Sequence, residues 1–198
     1  SGQGTDAGVA YNNFANGGNK PHVACTDQTA IFTQLTSPAT FDAKHKVSRE
    51  RIPPATKDLE QWLSAVLFLD PVPAQMRDCA FPSDKELQGN GRNVSAVLFN
   101  YWGPDEKAGD EPYASNRAAI LNFIQSLPEQ DIAGLSFLEE PRGGVMVQLT
   151  ETFGGRTDKR DASLLSDGPL RVLAIAAAML SAPEGSLVVI EEIDNGVH

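Results

Sequence analysis

Two cysteines in 198 residues, Cys25 and Cys79, are too few for a disulfide framework, and no CxxC spacing marks a zinc or redox site. Thiols this sparse fit a reducing compartment, so a cytoplasmic location is expected. Long apolar runs are also missing. No stretch approaches the roughly 18 residues of a membrane span, and no charged-then-apolar signal opens the chain. Positive charge is in short supply: 16 Lys and Arg against 26 Asp and Glu leave a formal net charge of −10. A chain of that sign does not grip nucleic acid over its whole surface. His22, His45 and His198 have no metal spacing with the cysteines, and neither a Ser-His-Asp nor a Gly-x-Ser-x-Gly arrangement is present. What remains is ordinary globular material, 41% hydrophobic and 21% charged, enough for one large domain or two small ones.

The two ends read differently from the middle. Residues 1–20 are rich in Gly, Asn and Ala without apolar periodicity, the pattern of a flexible arm. The other end stops at Ile193–His198, directly after a strongly apolar run with nothing to cap it. The expectation is a fragment of a longer polypeptide.

Between them, residues 21–54 mix short β-like runs such as Ala30-Ile31-Phe32 with Pro, Ser and Thr breaks. The basic stretch Lys44–Arg51 reads as a solvated loop, although its charge would also suit phosphate. Leu59, Trp62, Leu63 and Val66 have helical spacing, with Thr56 as N-cap and the prolines at 71 and 73 as terminators. A second helix is expected over Val94–Tyr101, capped by Asn93 and stopped at Gly103-Pro104, and a third over Ser115–Leu127. The period then changes: Leu135–Leu138 and Val145–Leu149 are strand-like, and Pro141-Arg142-Gly143-Gly144 between them signals a hairpin.

Chemistry is concentrated in the last 36 residues. Leu165-Ser166-Asp167-Gly168-Pro169 precedes an Ala-rich run to Leu180, with Ser and Asp suited to a cap and Pro to a first helical turn. Such a start offers unpaired N–H groups, a small Gly and a hydroxyl to an anion. A helix this apolar must be buried. After a Pro-Glu-Gly turn, Leu187–Ile190 reads as a parallel strand buried on both faces, ending in Glu191-Glu192. Carboxylates at that end of a strand lie where α/β folds place ligands. One carboxylate suits a magnesium ion (Mg2+) and the other an attacking water.

This order of signature helix, turn, apolar strand, Glu-Glu and Asp-Asn-Gly-Val-His resembles the second half of an ABC-type ATPase head. It is similar above all to the RecF/SMC-like group that includes the OLD-type and AAA-15 ATPases. The similarity covers about residues 115–198 closely and 56–104 more loosely, including Leu69-Asp70-Pro71. Leu165–Pro169 departs from the signature only at Pro169. The resemblance implies an α/β, partial P-loop NTPase fold. In it, residues 21–114 form a helical and β insertion, and residues 115–198 carry the signature helix and Walker B strand. It implies Glu191 as the metal contact and Glu192 as the catalytic base. Ser166, Asp167 and Gly168 would bind nucleotide in trans, and Asp194, Asn195 and His198 would lie in a D-loop at the dimer seam. ATP and Mg2+ are the implied cofactors. A homodimer through ATP, DNA and an accessory nuclease are the implied partners, in repair or phage defence. The P-loop is missing: no GxxxxGK[ST] occurs, and Gly17-Gly18-Asn19-Lys20 has the wrong spacing and runs into Pro21. The fragment alone is therefore expected to be inactive. The alternative reading is a non-catalytic acidic α/β protein-interaction module in which the Glu-Glu pair is incidental.

Overall fold

The computed structural model describes residues 6–15, 18–103, 109–126 and 131–191. They form two units, residues 1–65 and 66–198. No described helix is long and apolar enough to cross a membrane.

In the first unit, β1 (Asp6–Ala10) and β2 (His22–Thr26) form an antiparallel pair. β1 lies inside the segment whose composition reads as a loop. Its partner strand buries Val23 and Cys25, which pack with Tyr11, Leu35 and Phe41 into a small core. Ala30-Ile31-Phe32 is not a strand: Ile31–Leu35 forms a 3-10 helix. Gln34 on it does the pairing that a strand backbone would do. Its Oε1 accepts from Thr26 N at 2.8 Å, and its Nε2 donates to Thr26 O at 2.8 Å.

The helix expected from Thr56 begins ten residues earlier, as α1 (Lys46–Ser64). Most of the basic stretch therefore forms its first turns and is not a loop. Thr56 sits mid-helix, its hydroxyl donating to Pro53 O at 3.0 Å. Pro53 and Pro54 inside α1 hid the longer helix, because proline normally breaks one. Here the helix is anchored beyond them by Thr56, whose hydroxyl also reaches Leu35 O at 3.2 Å, and ahead of them by two further bonds. Ser48 donates to Asn12 O at 2.8 Å and Arg49 to Pro38 O at 3.1 Å.

The second unit has two sheets and three longer helices. β3 (Leu67–Leu69) pairs in parallel with β7 (Val188–Ile190), while β4 (Ile132–Glu139), β5 (Val145–Phe153) and β6 (Arg156–Asp161) form an antiparallel meander. The expected hairpin turn joins β4 to β5, Glu140 and Gly144 closing it at 2.8 Å. α2 (Pro73–Met76) is a single turn. α3 (Val94–Trp102) and α4 (Tyr113–Gln125) fall close to the expected spans, and Leu127 lies outside the described residues. Asn93 occupies the N-cap of α3, but its side chain caps nothing. It ties down the preceding loop instead, through Gln88 N at 3.0 Å and Glu86 O at 2.8 Å.

α5 (Asp167–Ser181) is the hub. Its Leu170, Leu173, Ala174, Ala177 and Ala178 meet Val94, Val97 and Leu98 of α3, Ile120 and Ile124 of α4, and Val147 and Leu149 of β5 in one buried cluster. The alanines let neighbouring helices approach closely. Ser95 adds a buried polar stitch to this layer: its Oγ accepts from Val147 N at 3.1 Å.

Candidate functional site

The site grows from three residues of parallel pairing. Leu67, Phe68 and Leu69 lie opposite Val188, Val189 and Ile190, and the ladder continues one step further, with Glu191 N donating to Leu69 O at 3.0 Å. Because the strands are parallel, both carboxyl ends emerge on the same side. Asp70 follows Leu69, and Glu191 follows Ile190. β7 is half-buried along its length, not enclosed on both faces as its apolar sequence predicts, since among the described residues its only partner is β3.

The loop before α3 folds over these strand ends. Asp70 N donates to Gly89 O at 2.8 Å and Val72 N to Asn90 O at 3.0 Å. Gly89 is there because nothing larger fits: a Cβ would lie 2.6 Å from Phe68 O. Gly91 takes φ +72° and sits between α2 and the hub helix, where a Cβ would meet Met76 Sδ at 3.1 Å and Ala174 Cβ of α5 at 3.5 Å. Asp70, Val72, Gly89, Asn90 and Glu191 thereby line a cavity of about 200 Å³. Its described lining holds two carboxylates and no lysine or arginine.

The second element is the start of α5. Ser166 is the N-cap, with extended backbone (φ −70°, ψ 169°), yet its side chain makes no capping bond. The sequence explains this in part. The third helical residue is Pro169, which lacks the N–H that a serine cap commonly takes. Ser166 and Asp167 are exposed, while Gly168 is buried. Asp167 turns its carboxylate to Arg77 at 2.6 Å, and the same guanidinium nitrogen donates to Leu165 O at 3.0 Å. Of the residues read as functional, Glu191, Ser166, Asp167 and Gly168 are thus described. Glu192, Asp194, Asn195 and His198 lie outside the described residues. Asp70 entered the sequence reading only within the looser Leu69-Asp70-Pro71 resemblance, with no role of its own, and Arg77 not at all. A lone Asp before Pro and a lone Arg after a short helix carry no pattern of their own.

The donor set at the strand ends suits magnesium. Mg2+ keeps water and phosphate oxygens and takes only one or two protein carboxylates. Glu191 and Asp70 supply that number. Among the described residues no cluster of three His, Cys, Asp or Glu forms a self-sufficient metal cage.

The profile of one protein family, described as "AAA domain, putative AbiEii toxin, Type IV TA system", matches residues 34–198. The chain belongs to this family of AAA domains. No curated protein and no solved structure matches it. Membership makes the domain ATPase-type, of a family that generally binds nucleotide with Mg2+, and the mixed helix and strand architecture agrees with it.

Cys79 does not line the strand-end cavity. Its thiol is pushed up to about 11, by burial first and then by a hydrogen bond donated to the Glu140 carboxylate. The thiolate fraction at pH 8 should therefore fall roughly 100-fold below that of an ordinary cysteine. Labelling with a maleimide in native buffer should be slower than in urea by at least that factor, and Glu140→Gln should recover part of the rate. Equal rates in native buffer and in urea would contradict the assignment. The same shift runs against stability at high pH. The unfolded thiol ionises near its usual value while the folded one stays neutral, so stability is intact below about pH 9 and declines toward pH 11.

Proposed function

We propose that this AAA domain is the signature-helix and Walker B portion of an ABC-type ATPase head of the RecF/OLD-like group, with the P-loop supplied from outside these 198 residues. The observation that carries the reading is the shared strand end. Glu191 and Asp70 are brought to one cavity by parallel pairing, with no cation beside them in its described lining. Glu191, with Asp70 beside it, would hold Mg2+. The ion, when bound, neutralises phosphate oxygens during transfer. Glu192 then orients the attacking water and takes its proton. Ser166 and the first N–H groups of α5 meet the γ-phosphate carried by a second copy, where the helix dipole favours negative charge. Asp194, Asn195 and His198 belong to the loop that crosses the seam.

On this reading the 198 residues alone turn over no ATP, because the lysine and backbone cradle for the β- and γ-phosphates are lacking. Phosphate release at saturating Mg-ATP checks this; turnover abolished by Glu192→Gln would overturn it. In the polypeptide that carries the P-loop, Ser166→Arg puts a long side chain where a hydroxyl is needed. Each monomer should still bind nucleotide, but ATP-driven association, followed by light scattering, should fail. Equal association of variant and wild type would remove α5 from the seam.

Residues 161–198 hold six acids against Arg171. This part of the chain should favour a nucleotide-loaded partner over bare DNA. The family description names a toxin of a toxin–antitoxin system, which supports a defence role over a repair role.

A further inference from the structure

We infer that Arg77 is a positioning residue for the start of α5, holding the Leu165–Asp167 loop so that Ser166 is left free of capping duty; this rests on the reading of α5 given above. In an ordinary helix the N-cap side chain folds back onto the first turn and fixes the entering chain. Here that internal lock is missing, since Ser166 makes no capping bond and Pro169 offers no N–H. The loop is fixed from outside instead. One guanidinium nitrogen of Arg77 binds Leu165 O at 3.0 Å and Asp167 Oδ1 at 2.6 Å, gripping the residues on either side of Ser166.

The pair does little for folding stability. The Asp167 side chain is 60% exposed and that of Arg77 30%, and ion pairs so accessible to water contribute little. What the bridge adds is geometry. Arg77 directly follows α2, whose first residue comes immediately after Val72 in the cavity lining, so five residues of chain, 73–77, connect the strand-end cavity to the clamp on the α5 loop.

The test uses Arg77→Ala, Arg77→Lys and Asp167→Asn. In the 198-residue chain, Arg77→Ala should speed amide exchange in the 165–171 segment and leave 113–125 unchanged, with the melting temperature hardly moved. In the P-loop-bearing polypeptide it should raise the protein concentration needed for ATP-driven association by about 10-fold or more, the scale of a lost charge-assisted hydrogen bond. Nucleotide affinity of the monomer should stay within about twofold, since its phosphates are held elsewhere. Arg77→Lys keeps the charge but not the planar fork, and should fall between; it also serves if the alanine variant fails to fold. If Ser166→Arg blocks association while Arg77→Ala and Asp167→Asn leave it untouched, the clamp is refuted and the seam stands. If Ser166→Arg is itself harmless, the seam reading falls and the inference with it. A uniform loss of melting temperature and exchange protection across the unit would make Arg77 a merely structural residue and overturn the proposal.

Discussion

Glu192→Gln in the P-loop-bearing polypeptide is expected to cut ATP hydrolysis by roughly 10²–10⁴-fold, the range for losing a general base, while nucleotide binding survives. Glu191 still belongs to the β3–β7 ladder through its N–H to Leu69 O at 3.0 Å, and it lines the cavity beside Asp70. On the proposed reading Glu191 serves the metal there, and the water falls to Glu192. Glutamine keeps the shape and hydrogen bonding of Glu192 but cannot take a proton from water. The ATP-bound associated form should accumulate, because formation is spared and breakdown is not. Phosphate release and light scattering on the same sample separate the two. A variant that hydrolyses at the wild-type rate would make Glu192 a bystander and return the pair to the status of an acidic turn.

Legibility followed how local each signal was. α3, α4 and the β4–β5 hairpin could be read because their periodicity, Gly stops and turn residues lie within a dozen positions. α5 could be read because ten of its fifteen residues are buried, and a helix with so little polar surface has a plain composition. β3 could not be read. Three residues carry no period, and Leu67–Leu69 is a strand only because Val188–Ile190 lies beside it. Since β3 was missed, Asp70 had no strand end to occupy, and half of the strand-end site went unseen. β6 was hidden by its composition: Arg156–Asp161 is polar throughout, and it pairs as an exposed edge on β5. α1 was cut short by its prolines. In the candidate site, the strand end at Glu191 and the helix start at Ser166 could be placed from local pattern, while the Arg77 bridge joins positions 90 residues apart and leaves no trace along the chain.

Leu173→Ala should destabilise the second unit by about 2–5 kcal/mol, the cost of a cavity in a packed core. Leu173 is fully buried on α5, one turn beyond Leu170 and beside alanines that have no side chain long enough to fill the gap. The helices around it are held by those small residues at close range, so collapse into the void is limited and the upper half of the range applies. Trp102 lies in the same cluster at 8% exposure and reports on it directly, whereas Trp62 is 49% exposed and contributes a nearly constant background. Urea unfolding followed by tryptophan fluorescence should show an earlier midpoint with an unchanged slope. Leu173→Met, which nearly conserves volume, should cost less than about 1.5 kcal/mol. The loss also bears on function, because α5 carries Ser166 at its start and backs the Gly91 loop through Ala174. A midpoint shift no larger for alanine than for methionine would mean that α5 is not the packed hub of this unit.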